Sequence, residues 1–459
     1  MRNLFTNAKQ LKNEIDKRVM GQSQGTRAVA TAIAQHVLRY EMRFVEGYQR
    51  TVQKQNLLIA GTTGSGKTET IRYLAEAMKQ TQIALIQENS LNFAPTDSWK
   101  GRPLSEIFYN LLDCSAKIYF DTNGYDEPYD LQEMQILDIA EHGIVALDEF
   151  DKISYSYANG NRAFQSDYQS NLLKIIEGIT IEIGDYEYEA TVPTADPETG
   201  KLTYKKKCFS FNNISIDTTN IMFIFMGAYS GIERITRHRL TQEWNKTHKP
   251  KEPKILDEHE EEPHWEYQQH QIGFMCSPRP ANPVPAKTDT KPAKPTNEPT
   301  FTDEQMIPTA DDIINYGVLR ELVGRIPIIT MYRPLSAKSL VNIMLNCETS
   351  ALREFQLRIA AMGHRLQWDS SALRVIAQRA IDRGTGARGL RTILSEVLTE
   401  PIYELSGESE PHICVIRGKD LKAGKPPQLC KMKPKRCLNF EKQLEEDIQK
   451  LKNKKRESA

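Results

Sequence analysis

The alternation of apolar and polar positions divides the chain into stretches of different character. From Leu11 to Tyr40 apolar residues recur at helical spacing, with a turn near Gly21. From about Val52 to Tyr229 short apolar runs alternate with amphipathic segments. Leu57-Leu58-Ile59-Ala60 reads as a buried strand; after it Ile71, Leu74, Ala75 and Met78 recur at i, i+3, i+4 and i+7, the apolar face of a helix. Ile144 to Leu147 and Ile221 to Met226 read as further buried strands. Apolar strands alternating with helices predict an α/β fold with a doubly wound parallel sheet. Within this stretch, Asp185 to Asp217 reads as a β-rich excursion, with Pro193, Pro197 and Gly200 as turn signals.

The pattern then breaks. From Leu240 to Pro308 Pro, Lys, Thr and Glu dominate, and Pro278 to Pro299 reads as extended or disordered, because most of this composition cannot bury a core. Helical periodicity resumes near Asp311 and runs to Leu405, with one strand pair expected from Arg365–Trp368 and His412–Ile416. Phe440, Leu444, Ile448 and Leu451 form a short apolar stripe in a tail rich in Lys and Glu, read as solvated and fraying.

At 459 residues the chain has room for two or three domains. Its 60 basic and 60 acidic residues cancel, which gives no global argument for nucleic acid or an anionic membrane as partner. The first residues carry no apolar signal core, and the longest apolar run is too short to span a bilayer. Seven scattered cysteines without a C-x-x-C pair argue against a zinc finger and fit a reducing cytoplasm.

Two motifs carry chemistry. Gly61-Thr62-Thr63-Gly64-Ser65-Gly66-Lys67-Thr68 matches G-x-x-x-x-G-K-[ST], placed between a predicted strand and a predicted helix. In that context backbone N–H groups and a helix N-terminus converge on phosphates. Lys67 is the candidate for the β- and γ-phosphates of ATP, and Thr68 for magnesium. The second motif, Ile144 to Glu149, is an apolar strand ending in two carboxylates. Asp148 is the candidate metal residue and Glu149 the candidate general base. Either motif alone has a bland reading as a Gly-rich turn or a solvated strand end. Together they predict an ATPase.

Several stretches in order resemble the ClpX-type AAA+ protein unfoldases of the Clp/Hsp100 family. They are Gly143 to Ser154, Asn171 to Gly178, Thr218 to Tyr229, Gly317 to Pro327 and Gly384 to Arg391. HslU-type relatives are the second choice. The resemblance spans about Leu11 to Leu405, apart from the Pro-rich segment. It implies an N-terminal helical segment over residues 1–50 and a large AAA+ ATPase domain over 51–330 with a flexible insertion at about 240–308. A small, mostly helical domain over 331–420 and a charged tail over 421–459 would follow. Val19 and Met20, leading into Gly21-Gln22, match the segment that packs on adenine. Arg325 matches the arginine finger that reaches a neighbour's nucleotide, and Arg388 the sensor-2 arginine. Sensor 1 has no assigned residue: Gly227 follows the strand at 221–226, and Asn220 precedes it too early.

A finger acting in trans implies a homo-hexameric ring. Trp99, Lys100 and Gly101 fall where the family carries its pore loop; Lys100 departs from the family's pattern and would favour acidic substrates. Ile272-Gly273-Phe274 matches the tripeptide that docks a ClpP-like peptidase, though its flank is longer than expected. Lys205-Lys206-Lys207 fall where the family has a basic loop at the channel entrance. The family's cysteine-rich zinc domain has no counterpart here. The expected activity is therefore ATP-driven unfolding and threading of polypeptides, with delivery to a ClpP-like peptidase. A stand-alone remodelling chaperone and a nucleic-acid-remodelling motor stay open as alternatives, and a non-catalytic nucleotide scaffold is the least favoured.

Overall fold

A computed structural model describes residues 2–432 except 80, 95–100, 126, 156–161, 196–201, 249–299 and 348. Its strands in chain order are β1 (Leu57–Gly61), β2 (Leu85–Asn89), β3 (Phe93–Ala94), β4 (Arg102–Pro103), β5 (Ile144–Asp148), β6 (Thr180–Ala195), β7 (Leu202–Asp217), β8 (Met222–Gly227), β9 (Ile328–Tyr332), β10 (Arg365–Trp368), β11 (His412–Ile416) and β12 (Gln428–Lys431). Five of them form one sheet in the order β2-β5-β8-β1-β9, and every neighbouring pair is parallel. All strands therefore point their C-terminal ends to the same edge, where ligands bind in open α/β sheets.

Side-chain alternation sorts the sheet into two cores. Leu57 and Ile59 of β1 join Ile144 and Ala146 of β5 and Met222, Ile224 and Met226 of β8 on one face. There they pack on apolar residues of the helices Ala8–Arg18, Ser23–Glu41 and Lys67–Met78. Leu58 and Ala60, Val145 and Leu147, and Phe223 and Phe225 point to the other face. They meet the helices Glu106–Asn123, Tyr129–Glu141 and Arg162–Glu177. Because both faces are covered, the strands read as continuous apolar runs.

The β-rich excursion is a long antiparallel hairpin, β6 with β7, whose register shifts at Gly184. Its inner face, with Tyr186, Ala190, Phe209 and Phe211, is buried in the second core. The Phe120 ring packs on those of the cross-strand partners Tyr188 and Phe209, with centroids 5.4 and 4.4 Å away.

After β9 a separate core is built by the helices Ala337–Asn346, Ala351–Ala361, Ser370–Asp382 and Gly386–Ser406. β10 and β11 pair in parallel as a strand pair, and β12 adds to β11 antiparallel. The helix Gly418–Lys422 and β12 extend this layer past residue 420, where the sequence reading began its tail. They are short, and their Lys-rich composition masks them. Likewise the helix Ile232–His248 continues beyond Leu240, where composition alone placed the start of the insertion. The chain divides into two compact units, residues 1–236 with 307–459 and residues 237–306. Among the described residues, no helix is long and apolar enough to cross a membrane.

Candidate active site

The P-loop follows directly from the end of β1, and the helix Lys67–Met78 begins inside it. Gly64 and Gly66 hold φ of +77° and +106°, in the left-handed region that a side chain disfavours. Neighbours also crowd them. A Cβ on Gly66 would stand 2.8 Å from Val19 Cγ1, and one on Gly64 would stand 2.3 Å from the Thr385 carbonyl oxygen. Lys67 Nζ donates to the carbonyls of Gly61 and, at 3.2 Å, of Thr62. Burial lowers its pKa to about 8; Asp148 and Asp151 oppose the shift and Arg388 adds to it. The ammonium is thus satisfied by weak loop acceptors that phosphate oxygens can replace.

β5 brings its two terminal carboxylates to the same edge. Thr68 Oγ1 donates to Asp148 Oδ2 at 3.1 Å, and Gln87 Nε2 of β2 donates to the same oxygen at 3.1 Å. Asp148 Oδ1 accepts the Glu149 backbone N–H at 2.9 Å. Glu149 itself sits at φ +57°, an uncommon conformation for a residue with a side chain. This turn directs its carboxylate to Lys152 Nζ at 2.7 Å and Asn89 Nδ2 at 3.2 Å. The hydrogen bond from Lys152, aided by Asn89, holds the Glu149 pKa below its usual value, against the effect of partial burial. Glu149 is therefore a carboxylate, the form a general base needs.

The C-terminal layer closes over the loop. Ala387 N–H donates to the Gly64 carbonyl at 3.1 Å. Arg388, in the first turn of the helix Gly386–Ser406, reaches Thr68 Oγ1 with Nη2 at 3.4 Å. On another side, Val19 is buried against Gly66, and Met20 Sδ accepts from Asn342 Nδ2 at 3.3 Å. Gln22 Nε2 donates to the Ser65 carbonyl at 3.0 Å and to that of Arg333 at 2.8 Å, tying the turn after Met20 to the P-loop and to the chain after β9.

Lys67, Thr68, Asp148, Glu149, Arg388 and Val19 thus gather at one edge of the sheet. Arg325 does not. It precedes β9, and Ile328 pairs with Leu57 at the start of β1, so Arg325 lies at the opposite edge from the P-loop. There its Nη2 and Nε meet Glu177 Oε1 at 2.7 and 3.1 Å. Asn220 lies at that far edge as well and accepts from Arg39 Nη2 at 2.8 Å. At the sensor-1 level, Gly227 is crowded by Asp151: a Cβ there would stand 2.5 Å from Asp151 Oδ1. Asp151 is buried, accepts the Ala228 N–H at 3.2 Å, and has a raised pKa, chiefly because of that burial. Of the expected pore loop, Gly101 lies next to β4, which pairs with β3, whereas Trp99 and Lys100 lie outside the described residues. Ile272, Gly273 and Phe274 also lie outside them. Lys206 and Lys207 stand on β7, where Lys206 Nζ pairs with Glu189 at 3.0 Å.

Sequence reasoning missed Gln87, Asn89 and Lys152. Gln87 and Asn89 sit on β2, whose contact with β5 rests on strand order. Their signal is a polar residue at a strand end, too common to single them out. The adjacent hydroxyl and carboxylate oxygens of Thr68 and Asp148 form a hard-oxygen set suited to magnesium.

Comparison with known proteins agrees with this geometry. A sequence model of the AAA domain (Cdc48 subfamily) matches residues 52–329, and one of the C-terminal, D2-small domain of ClpB protein matches residues 335–412. The chain is 29% identical to an ATP-dependent Clp protease ATP-binding subunit ClpX of Treponema denticola, over 86% of this chain and 76% of the relative. It is 27% identical to the ClpX subunit of Borrelia duttonii, over 88% and 75%, and 26% identical to a ClpX 3 subunit of Methylococcus capsulatus, over 91% and 80%. A P-loop beside an acidic strand end, roofed by a small helical layer, joins these likenesses to one assignment: the chain belongs to the AAA domain family, as an ATPase of the Clp/Hsp100 AAA+ type.

Proposed function

We propose that this protein is a ring-forming, ATP-driven unfoldase that threads polypeptides through a central channel and hands them to a ClpP-like peptidase. The observation that carries this reading is the convergence of Lys67, Thr68, Asp148, Glu149 and Arg388 on one edge of the sheet, with Arg325 at the other. An arginine that cannot reach its own P-loop is suited to a neighbour's nucleotide, and six copies in a ring supply that neighbour. The names of the ClpX relatives, each an ATP-binding subunit of a Clp protease, support the peptidase partner.

In this scheme the Gly61–Thr68 loop cradles the phosphates, Lys67 exchanges its loop carbonyls for phosphate oxygens, and Val19 and Met20 flank the adenine. Magnesium, when bound, neutralises phosphate charge; Thr68 and Asp148 would hold it. Glu149 takes a proton from the attacking water. Arg325 of the adjacent subunit stabilises charge developing on the γ-phosphoryl oxygens, and Arg388 couples the nucleotide to the angle of the C-terminal layer. Trp99, with Lys100 and Gly101, grips the substrate, and Ile272-Gly273-Phe274 docks the peptidase. The cytoplasm is the compartment we assign.

The test is ATP-dependent loss of fluorescence from a tagged fluorescent protein, with and without a ClpP-like peptidase. We expect unfolding by the ring alone and degradation when the peptidase is added, the latter lost in Phe274→Ala. Unfolding without degradation would support a stand-alone remodeller. ATPase activity stimulated by DNA but not by protein would support a nucleic-acid motor.

A further inference from the structure

Arg325 is fixed twice within its own chain. Its backbone carbonyl accepts from Asn56 Nδ2 at 2.8 Å. Asn56 is buried, with only 2% of its surface exposed, and its Oδ1 accepts the Phe223 N–H at 2.9 Å. Both ends of this amide are therefore used, and it cannot rotate without stranding a buried polar group. Asn56 immediately precedes β1.

The guanidinium is fixed separately, by the contacts to Glu177 Oε1. Glu177 closes the helix Arg162–Glu177, and the next residues are locked. Gly178 has φ +109° and its hydrogen faces Thr219, where a Cβ would stand 2.6 Å from Oγ1. The Ile179 N–H donates to Thr218 Oγ1 at 2.9 Å, and Thr218 Oγ1 donates to the Ile175 carbonyl at 2.7 Å. Further up the same helix, the buried Gln169 donates to the Ile153 carbonyl at 2.9 Å and accepts the Leu319 N–H at 2.7 Å. This ties the helix to the segment that leads into Arg325.

A guanidinium offers five N–H donors in a fixed fork. Among the described residues Glu177 is the partner of this guanidinium, through Nε and one Nη2 hydrogen, so Nη1 and the second Nη2 hydrogen are open on the adjoining edge. An arginine held this way presents two parallel donors, the geometry that a phosphoryl group takes up.

We propose that Glu177 and Asn56 are positioning residues for the trans-acting Arg325: Asn56 sets its backbone, and Glu177 orients its guanidinium for the neighbour's γ-phosphate. This rests on the reading of Arg325 as an intersubunit finger. A half-exposed ion pair adds little to stability, so its removal should act on turnover and leave the fold intact.

The experiment compares Glu177→Ala, Glu177→Gln and Arg325→Ala rings in ATPase rate and in binding of a fluorescent ATP analogue. Glu177→Ala is expected to lower kcat by about ten- to a hundredfold, the scale of a misplaced catalytic group, with little change in nucleotide affinity. Glu177→Gln keeps an acceptor for Nε and should recover part of the loss. Mixing Glu177→Ala subunits with Glu149→Gln subunits, which carry an intact finger, should restore activity above that of either alone. Normal or faster turnover in Glu177→Ala, with Arg325→Ala inactive, overturns the positioning role. An active Arg325→Ala ring instead overturns the finger reading beneath it.

Discussion

Thr68 and Asp148, eighty residues apart in sequence, meet through a 3.1 Å hydrogen bond between hydroxyl and carboxylate at the C-terminal edge of the central sheet. The pair brings together two hard oxygen ligands of the kind magnesium takes. Asp148→Asn keeps the shape and removes the charge. Its ATPase rate should fall by about a hundredfold or more, as expected when charge neutralisation at the phosphates is lost. Titration with magnesium at fixed ATP checks this, and activity should return only at far higher magnesium, if at all.

Glu149 is held ionised by Lys152 and Asn89. Glu149→Gln should lower kcat by about 10²- to 10⁴-fold, the usual contribution of general base catalysis, while binding of the nucleotide persists. Single-turnover hydrolysis beside equilibrium binding separates the two. Because its pKa lies below the usual 4.5, any acid limb that protonation of Glu149 gives kcat should have its midpoint below about pH 4.5.

Gly64 lies against the Thr385 carbonyl with φ of +77°, whereas Gly47 has nearly the same φ of +75° but open space around it. Gly64→Ala should push the C-terminal layer off the loop and weaken ATP binding by at least about tenfold, or 1.4 kcal/mol. Gly47→Ala carries the backbone strain without the clash and should leave affinity unchanged. Equal losses in both would mean that the close approach of Thr385 has no bearing on the nucleotide.

His36 is buried, with Nε2 2.8 Å from the His142 carbonyl. Burial lowers its pKa from 6.5 to about 3; the hydrogen bond to the His142 carbonyl opposes the shift, and the charges of His142, Arg39 and Lys54 add to it. Below pH 6.5 the unfolded chain therefore takes up a proton that the folded chain refuses. Stability contributed by neutral His36 is full above 6.5 and declines as pH falls toward 3. His36→Gln keeps a donor for the His142 carbonyl and removes the titration. Its melting temperature should fall less than that of the wild type between about pH 7 and about pH 5. Parallel curves would contradict this.

How much of this was legible depended on whether the chemistry was local in the chain. The P-loop and the Asp148-Glu149 strand end were readable because strand, loop and helix are contiguous and their spacing is fixed by phosphate geometry. The parallel α/β architecture followed from apolar runs separated by helices. By contrast, Asn89 reaches Glu149, and Gln87 reaches Asp148, only because β2 lies beside β5 in register. Neither strand order nor register is encoded in the residues themselves. Arg325 and Arg388 carry no local signal, and resemblance alone singled them out. Asn56 and Glu177 act through Arg325 and were invisible without coordinates. The helix Gly418–Lys422 and β12 escaped because short elements in a basic context lack periodicity.

The most direct test of the central claim couples the two activities in one cuvette, with ATP hydrolysis and fluorescence of a stably folded, tagged protein followed together. The account predicts that wild-type rings extinguish fluorescence while consuming ATP, and that Glu149→Gln rings bind ATP yet do neither. Fluorescence lost at an undiminished rate in Glu149→Gln, or ATP consumed by the wild type with the substrate left folded, would contradict it.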